Sequence, residues 1–147
     1  MLKALTIENF KGIKDPFRIE FRPINILFGP NNSGKSTVIQ ALFYAREILN
    51  GNLDPKKIEV SGQTIDLGGF KNIVYGQNTR NSIRLRLEFE ELGTYPDYEL
   101  YNEFKDCFHY QLKNVWFDYT ISYSSRFKKP YVENFELWNE GDIVFKL

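Results

Sequence analysis

Residues 29–37 have the residue types and the spacing that phosphate binding requires. They read Gly-Pro-Asn-Asn-Ser-Gly-Lys-Ser-Thr and fit the pattern G-x-x-x-x-G-K-[ST]. Gly29 and Gly34 allow backbone angles that are closed to other residues, so the N–H groups of the loop can turn inward around a phosphate. Lys35 can then bridge the β- and γ-phosphates of a nucleotide, and the Ser36 hydroxyl can ligate Mg²⁺.

The other polar residues of this loop extend the candidate nucleotide site. Asn31, Asn32 and Ser33 supply backbone N–H groups between the two glycines, and the Thr37 hydroxyl can donate toward the α-phosphate. The structural alternative is a glycine turn that only caps an ordinary helix. The Ser-Thr pair after the lysine, together with the elements on either side of the loop, favours nucleotide binding.

Those flanking elements occur in the order that the loop requires. Residues 24–28 form a short apolar run that predicts a buried strand. Residues 38–49 predict a helix that ends near Asn50 and Gly51, a pair typical of a helix C-terminus. The apolar residues of the helix recur at three- and four-residue steps: Val38, Leu42, Ala45 and Leu49.

Composition restricts the class of protein. The chain has 147 residues, enough for one domain with a core, and its 19 basic and 19 acidic residues balance. This balance argues against nucleic-acid binding by bulk charge but allows a local patch. Cys107 is the only cysteine, which excludes an intramolecular disulfide and suits a reducing cytoplasm. We interpret Cys107 and His109 as structural, and no apolar run is long enough to span a membrane.

The remaining pattern predicts mainly strands. We expect three segments, namely a core over residues 1–50 (strand, strand, loop strand, helix), an irregular connection over 51–81 and antiparallel strands over 82–147. Strands are predicted over 2–10, 17–22, 82–90, 115–123, 132–138 and 143–147, the first two paired antiparallel. A short helix is predicted near 55–59, 70–75 is helical or extended, and 98–108 fits a helix and a strand equally well.

Several polar residues invite a functional interpretation but have a simpler one. Gln77 is interpreted as a surface turn residue. Arg84 and Arg86 alternate with glutamates on a predicted strand, so a solvated face is expected. The turn over 124–130 holds three cations that could contact phosphate, although a solvated loop is the expected state. These cations are Arg126, Lys128 and Lys129.

Three segments resemble one family of ATPases. The Asn-rich loop 29–37, the opening strand that ends in Asn9-Phe10-Lys11, and residues 66–76 resemble ABC-type ATPases of the SMC, RecF and OLD-like group. The resemblance implies an α/β P-loop NTPase fold, specifically an N-terminal lobe with a mixed sheet and an antiparallel meander in its second half. It also implies ATP and Mg²⁺ as cofactors and Lys35 as a catalytic residue.

The resemblance gives Lys11 a role as well. In this group the basic residue after Asn-Phe lies beside the nucleotide and contacts phosphate, and Lys11 matches that position. The alternative is a solvated lysine in a turn, which is the usual environment of lysine.

Two motifs of complete ABC-type ATPases are missing from the sequence. No apolar run after Leu49 ends in paired acids, since neither Asp66 nor Asp118 fits, and the signature sequence is absent. We therefore expect a lobe of a longer ATPase that binds ATP with little turnover alone. The resemblance implies as partners a C-terminal lobe or second ATPase head, with DNA or a nuclease, in DNA repair or anti-phage defence.

Two other functions stay open at this point. One is a small-molecule P-loop kinase, although such kinases usually begin with the loop strand and continue with alternating parallel strands and helices. The other is a non-catalytic regulatory module that binds nucleotide without turnover. The intact Lys35-Ser36 pair argues against a degenerate loop but does not exclude this role.

Overall fold

The computed structural model of the protein describes residues 1–60, 62–91 and 113–147. The predictions for residues 98–108, Cys107 and His109 lie outside these ranges. The elements follow in chain order: β1 (Leu2–Glu8), β2 (Phe17–Glu20), α1 (Lys35–Leu49), β3 (Ile58–Val60), β4 (Gln63–Ile65), α2 (Phe70–Ile73), a 3-10 turn (Tyr75–Gln77), β5 (Ile83–Glu91), β6 (Lys113–Ser124), β7 (Lys129–Asn139) and β8 (Asp142–Lys146).

Six of these strands form one sheet in the order β2-β1-β5-β6-β7-β8. Every pairing between the described strands is antiparallel, and β5 to β8 follow one another as a meander. The predicted antiparallel second half and the antiparallel pairing of the first two strands are therefore confirmed. One row of paired residues crosses the whole sheet: Ile19, Leu5, Leu87, Phe117, Leu137 and Phe145.

Helix α1 packs against one face of this sheet and forms the core with it. Alternate residues of β1 and β5 point toward the helix, as the period of two in a strand requires. Helix α1 and strands β1, β5 and β6 contribute these buried side chains to the core: Leu5, Ile7, Ala41, Tyr44, Ala45, Ile48, Ile83, Leu85, Leu87 and Ile121. The buried face of the helix includes Val38 and Ala45, as predicted, whereas at its end Ile48 is buried and Leu49 is 42% exposed.

The opposite face of the sheet carries charged side chains in pairs rather than a simply solvated surface. Arg84 donates two hydrogen bonds, 2.8 and 2.6 Å long, to the two carboxylate oxygens of Asp118, which is 4% exposed. The guanidinium of Arg86 lies 4.5 Å from the ring centre of Trp116. Opposite charges and aromatic rings on neighbouring strands stabilise a sheet in this way.

The connection between α1 and β5 contains a small hairpin. Strands β3 and β4 pair antiparallel, with Ile58 opposite Ile65, so the short helix predicted near 55–59 is wrong. The physical reason is that Ile58 is fully buried in the core, where an extended segment can deliver it against α1. Residues Phe70–Ile73 form the helical alternative of the two that were predicted there.

The apolar run before the glycine loop lies outside the sheet. Residues 24–28 form no strand, and Ile24, Ile26 and Phe28 are 82%, 80% and 90% exposed. The predicted buried strand is therefore wrong for this part of the protein. A strand needs a neighbour whose backbone N–H and C=O groups pair with its own, and no described strand lies beside this segment. The parallel part of the predicted mixed sheet stays a prediction.

Candidate functional site

The glycine loop leads directly into the first turn of α1. Gly34 precedes the helix with φ 91° and ψ 4°, and no side chain of the described residues caps the first N–H groups. The first turn contains no acidic residue. The free N–H groups and the partial positive charge of the helix N-terminus are therefore not neutralised by the described residues. This arrangement favours an anion at the loop.

The loop conformation explains why a glycine occupies position 29. Gly29 has φ 150°, and a Cβ added to it would lie 2.9 Å from the Ser33 Oγ. Within the loop, the Ser33 N–H donates to the carbonyl of Pro30 over 3.3 Å, and Asn32 has φ 66°. The left-handed backbone at Asn32 is one that asparagine tolerates better than most residues. The hydrogen bond between Ser33 and Pro30 thus closes a tight turn within the loop.

Lys35 reaches back across the same loop. Its ammonium group donates to the carbonyl of Gly29 over 2.8 Å, to the carbonyl of Pro30 over 2.7 Å and to the Ser33 Oγ over 3.3 Å. An ammonium group has three N–H donors, so all of them are used within the loop. The Lys35 ammonium group is therefore fixed against the glycine loop rather than extended into solvent.

The two hydroxyl residues after Lys35 lie on the first turn of the helix. Ser36 is exposed and Thr37 is half-buried. Within the described ranges neither hydroxyl has a hydrogen-bond partner, so both can bind a ligand. A hydroxyl beside a phosphate-binding loop fits Mg²⁺, which takes oxygen ligands and commonly combines one or two protein groups with phosphate oxygens and water. Asn31 and Asn32 are exposed at the tip of the loop.

A groove of about 650 Å³ opens beside the loop. The connection between β1 and β2 forms one wall, and the exposed apolar segment before the loop forms another. The lining residues are Ile13, Asp15, Pro16, Phe17, Ile19, Ile26, Leu27, Phe28, Ser33, Gly34, Lys35 and Val38. A concave, mainly apolar surface with a few polar groups is typical of small-molecule sites. The groove is large enough to receive the nucleoside part of a nucleotide.

Lys11 lies in a tight turn that β1 and residues 70–75 hold in place. Its backbone N–H donates to the carbonyl of Ile73 over 2.7 Å, and its φ of 50° is unusual for a residue other than glycine. The Lys11 ammonium donates to the Gln40 Oε1 over 2.7 Å. Burial lowers the pKa of Lys11 from its ordinary value. A nearby phosphate would favour the charged form and oppose this effect.

The contact with Gln40 places Lys11 on the side of α1 that carries Ser36. These two helix residues are four positions apart, so they are neighbours on one face, about 6 Å apart along the axis. Sequence reasoning identified Lys11 but missed Gln40. The available signal was the four-residue spacing from Ser36, which marks residues that share a helix face.

Other polar residues of interest take structural roles. Gln77 is exposed at the end of the 3-10 turn, as expected for a surface turn residue. Both Asp118 oxygens bind Arg84, and the Asp66 Oδ1 accepts a hydrogen bond of 2.6 Å from the N–H of Gly68. Among the described residues, no group of three or more His, Cys, Asp or Glu could hold a metal. Nor does any described helix combine the length and apolar character needed to cross a membrane.

Comparison with known proteins gives one family match over nearly the whole chain. The model of the AAA ATPase domain family matches residues 1–145. The chromosome partition protein Smc of Mycolicibacterium paratuberculosis is 31% identical over 63% of this chain. The Smc protein of Mycobacterium leprae is 48% identical over 28% of it. An ATP/GTP phosphatase of Helicobacter pylori is 41% identical over 30% of it.

These relatives are much longer than the region they share with this chain. The match covers 8% of the Mycolicibacterium paratuberculosis protein, 4% of the Mycobacterium leprae protein and 12% of the phosphatase. The similarity therefore concerns one segment of each relative and leaves most of its length without a counterpart here.

Proposed function

The chain belongs to the AAA ATPase domain family, and from this and the loop geometry we propose that it binds Mg²⁺ and ATP at residues 29–37. The matches to Smc proteins confirm the resemblance to SMC-like P-loop ATPases. The observation that carries the proposal is the position of Lys35, whose charge lies across the glycine loop at an uncapped helix N-terminus.

The proposed roles follow from the chemistry of each group. The N–H groups of residues 29–34 and of the first helical turn receive phosphate oxygens. Lys35 exchanges one or more of its loop hydrogen bonds for ionic ones to phosphate, which are stronger. The hydroxyls of Ser36 and Thr37 face the metal ion and the α-phosphate, and the nucleoside occupies the groove beside Phe17.

When bound together with the nucleotide, Mg²⁺ would neutralise part of the negative charge of the phosphates. From this chain, Ser36 is the residue that would hold it, and phosphate oxygens and water would complete its ligands. Lys11 joins the phosphate contacts by turning from Gln40 toward Ser36. The partial burial of the Lys11 ammonium supports this role, because its described hydrogen-bond acceptor, the amide of Gln40, is neutral and an anion would stabilise the charge further.

We further propose that the chain acts as the nucleotide-binding lobe of a larger ATPase in the cytoplasm. The apolar segment 24–28, exposed on the loop side, would be covered by a strand from the second lobe or from a partner head. The Smc relatives are chromosome partition proteins, which supports DNA as the macromolecular partner of the whole protein. DNA repair or phage defence as the process follows only from the resemblance of the sequence to the SMC, RecF and OLD-like group. Turnover by this lobe alone would be slow, because phosphoryl transfer needs charges that other parts supply.

The small-molecule kinase alternative has less support. Such a kinase would continue after α1 with alternating parallel strands and helices, whereas the described strands pair only antiparallel. A purely regulatory nucleotide-binding module shares the same binding site and differs from the proposed lobe in never contributing to hydrolysis.

Equilibrium titration calorimetry and a phosphate-release assay together test the proposed function. We expect the wild-type chain to bind ATP in the presence of Mg²⁺ and to release phosphate at a rate far below the typical enzyme turnover of about 10 per second. Lys35→Ala should remove most of the binding, while Lys14→Ala, which removes an exposed charge from the β1–β2 connection, should retain it. Equal binding by wild type and Lys35→Ala would contradict the proposal.

A further inference from the structure

A second cavity, of about 760 Å³, lies at the other end of α1. The connection after α1, the segment before α2, Tyr123 of β6 and the β6–β7 turn form its walls. We call it the lysine cavity after four of its lining residues: Lys56, Lys71, Lys128 and Lys129. Two of these lysines, Lys128 and Lys129, belong to the basic turn over 124–130. This turn does not line the groove beside the glycine loop.

The charges of this cavity are not balanced locally. Among the residues that the structure describes, the lining contains one acidic residue, Asp54, and four lysines. The Oδ1 of Asp54 accepts a hydrogen bond of 3.0 Å from the backbone N–H of Lys56, and its single negative charge can offset only one of the four lysines. Within the described parts of the chain none of the four lysines forms an ion pair. In a chain of net charge +0, this is a concentration of uncompensated positive charge in a concave site.

The walls of the cavity are specifically built. Gly69 has φ 82°, and a Cβ added there would lie 2.9 Å from the Cε of Lys56, so the lysine stem passes directly over the glycine. Phe70 is buried and its ring stacks on Tyr123, with centroids 5.5 Å apart. In the β6–β7 turn, the Phe127 N–H donates to the Ser124 Oγ over 3.2 Å.

The lysine cavity is separate from the candidate nucleotide site. Lys35 and Gly34, at the first turn of α1, line the groove beside the glycine loop, whereas Gly51, just after the last turn, lines the lysine cavity. A helix of 15 residues is about 22 Å long. One nucleotide cannot bridge the two sites, so the lysine cavity needs its own ligand.

We propose that the lysine cavity binds a phosphorylated ligand of about nucleotide size. Its volume lies within the roughly 300–1,000 Å³ that small-molecule sites occupy. Lysines from three segments line the cavity, and their ammonium groups can bind phosphate oxygens by charge-assisted hydrogen bonds. The Tyr123 ring contributes an aromatic wall against which a sugar or a base can pack. Two sources carry this chemistry, a free polyphosphate compound and the phosphorylated end of a single strand.

The test uses the Lys35→Ala chain, so that the glycine loop does not contribute to binding. Inorganic tripolyphosphate, 5′-phosphorylated dT4 and unphosphorylated dT4 are titrated at low and physiological salt. The same titrations are made after adding Lys128→Gln and Lys129→Gln. The matched control adds Lys3→Gln and Lys113→Gln, which remove two exposed charges outside the cavity lining. Circular dichroism checks the fold of each variant. We expect the fold to be unchanged, because the four substituted lysines, at positions 3, 113, 128 and 129, are exposed.

We expect tripolyphosphate to bind and the cavity variant to weaken it by about tenfold, as two partly screened ion pairs predict. The control variant should bind as the parent does. Added binding of 5′-phosphorylated dT4 at the same lysines, without binding of unphosphorylated dT4, would support a strand end as the source. Binding of tripolyphosphate alone would support a free polyphosphate compound.

Three results would overturn the proposal. The first is no tripolyphosphate binding, and the second is an equal loss in the cavity and control variants, which would indicate bulk charge. The third is equal binding of the two oligonucleotides, which would indicate contacts to a strand along its length. None of these results bears on nucleotide binding at Lys35, because the glycine loop is inactivated in every protein tested.

Discussion

At the scale of single residues, Lys35 joins the glycine loop to α1 through its side chain. Its three hydrogen bonds span both sides of the loop, from Gly29 to Ser33. An incoming phosphate therefore meets a positive charge that is already positioned, and little side-chain entropy is lost on binding. The same contacts mean that removing the Lys35 side chain affects both the charge and the order of the loop.

Replacing Lys11 with alanine should weaken Mg²⁺–ATP binding by about tenfold, the effect of losing one ionic contact of about 1.4 kcal/mol. The reason is that the half-buried ammonium of Lys11, held at Gln40, lies on the helix face of Ser36. Titration calorimetry measures the change. Lys14→Ala is the matched control, since it removes an exposed lysine from the same connection, and it should change the affinity little.

A loss of affinity that is the same in both variants would contradict a specific role for Lys11 and indicate only a change in net charge. Unfolding temperatures measured without nucleotide show whether the left-handed turn at Lys11 survives the substitution. Alanine accepts the φ of 50° no better than lysine, so the two proteins should share any strain that the turn contains.

The positions of the loop residues could be predicted because their spacing is itself the signal. Gly29, Gly34 and Lys35 occupy fixed places in a short pattern, and the structure gives the two glycines the positive φ angles that the pattern requires. The pairing of Lys11 with Gln40 could not be predicted in the same way. It joins residues 29 positions apart and depends on how the turn after β1 packs on α1.

At the scale of elements, the segment 24–28 departs furthest from its sequence pattern. Its residues are as apolar as those of the core strands, yet Ile24 is 82% exposed while Ile83 of β5 is fully buried. Hydrophobic pattern identifies a segment that can be buried, but burial needs a neighbouring element. The exposed row supports our proposal that another part of the ATPase covers it.

Substituting these two isoleucines with alanine should separate the two environments. Ile24→Ala should change the free energy of unfolding by less than about 0.5 kcal/mol, because the side chain is exposed. Ile83→Ala should cost about 2–5 kcal/mol, because it removes packed methyl groups from the core. Denaturant unfolding of the two variants measures both values. A cost for Ile24→Ala close to that of Ile83→Ala would show that segment 24–28 is packed in the isolated chain.

Strands with strict alternation were predicted well, and the short connection was not. The pattern over 82–90 predicts β5 because its apolar residues lie on one face, and the structure buries Ile83, Leu85 and Leu87 there. The connection near 55–59 has no such periodicity. Its hairpin forms because Ile58 packs in the core, a long-range contact that local sequence does not encode.

At the scale of the whole molecule, helix α1 and the six-stranded sheet position both proposed binding sites. Helix α1 covers one face of the antiparallel sheet, with the glycine loop at its first turn and the lysine cavity beyond its last. On the other face of the sheet the guanidinium of Arg84 is already paired with Asp118, so this cation is engaged rather than available to phosphate. The proposed phosphate chemistry is therefore confined to the two ends of α1.

The family could be inferred from the sequence because the loop, the opening strand and the residue after it agree with one another. Whether neighbouring strands pair parallel or antiparallel could not be inferred from the sequence in the same way. A mixed sheet requires parallel neighbours, and the described strands offer only antiparallel ones, with β2 and β8 as edges. Which strands complete a sheet depends on long-range packing that no local pattern records.

The most direct test of Mg²⁺–ATP binding is thermal unfolding of the wild-type chain and of Lys35→Ala, each with and without the nucleotide. A ligand that binds only the folded state stabilises it by about 2.7 kcal/mol at one hundred times its dissociation constant. We expect a clear rise in the unfolding temperature of the wild type and little or none for Lys35→Ala. No rise for the wild type, or an equal rise for both proteins, would contradict nucleotide binding at the glycine loop.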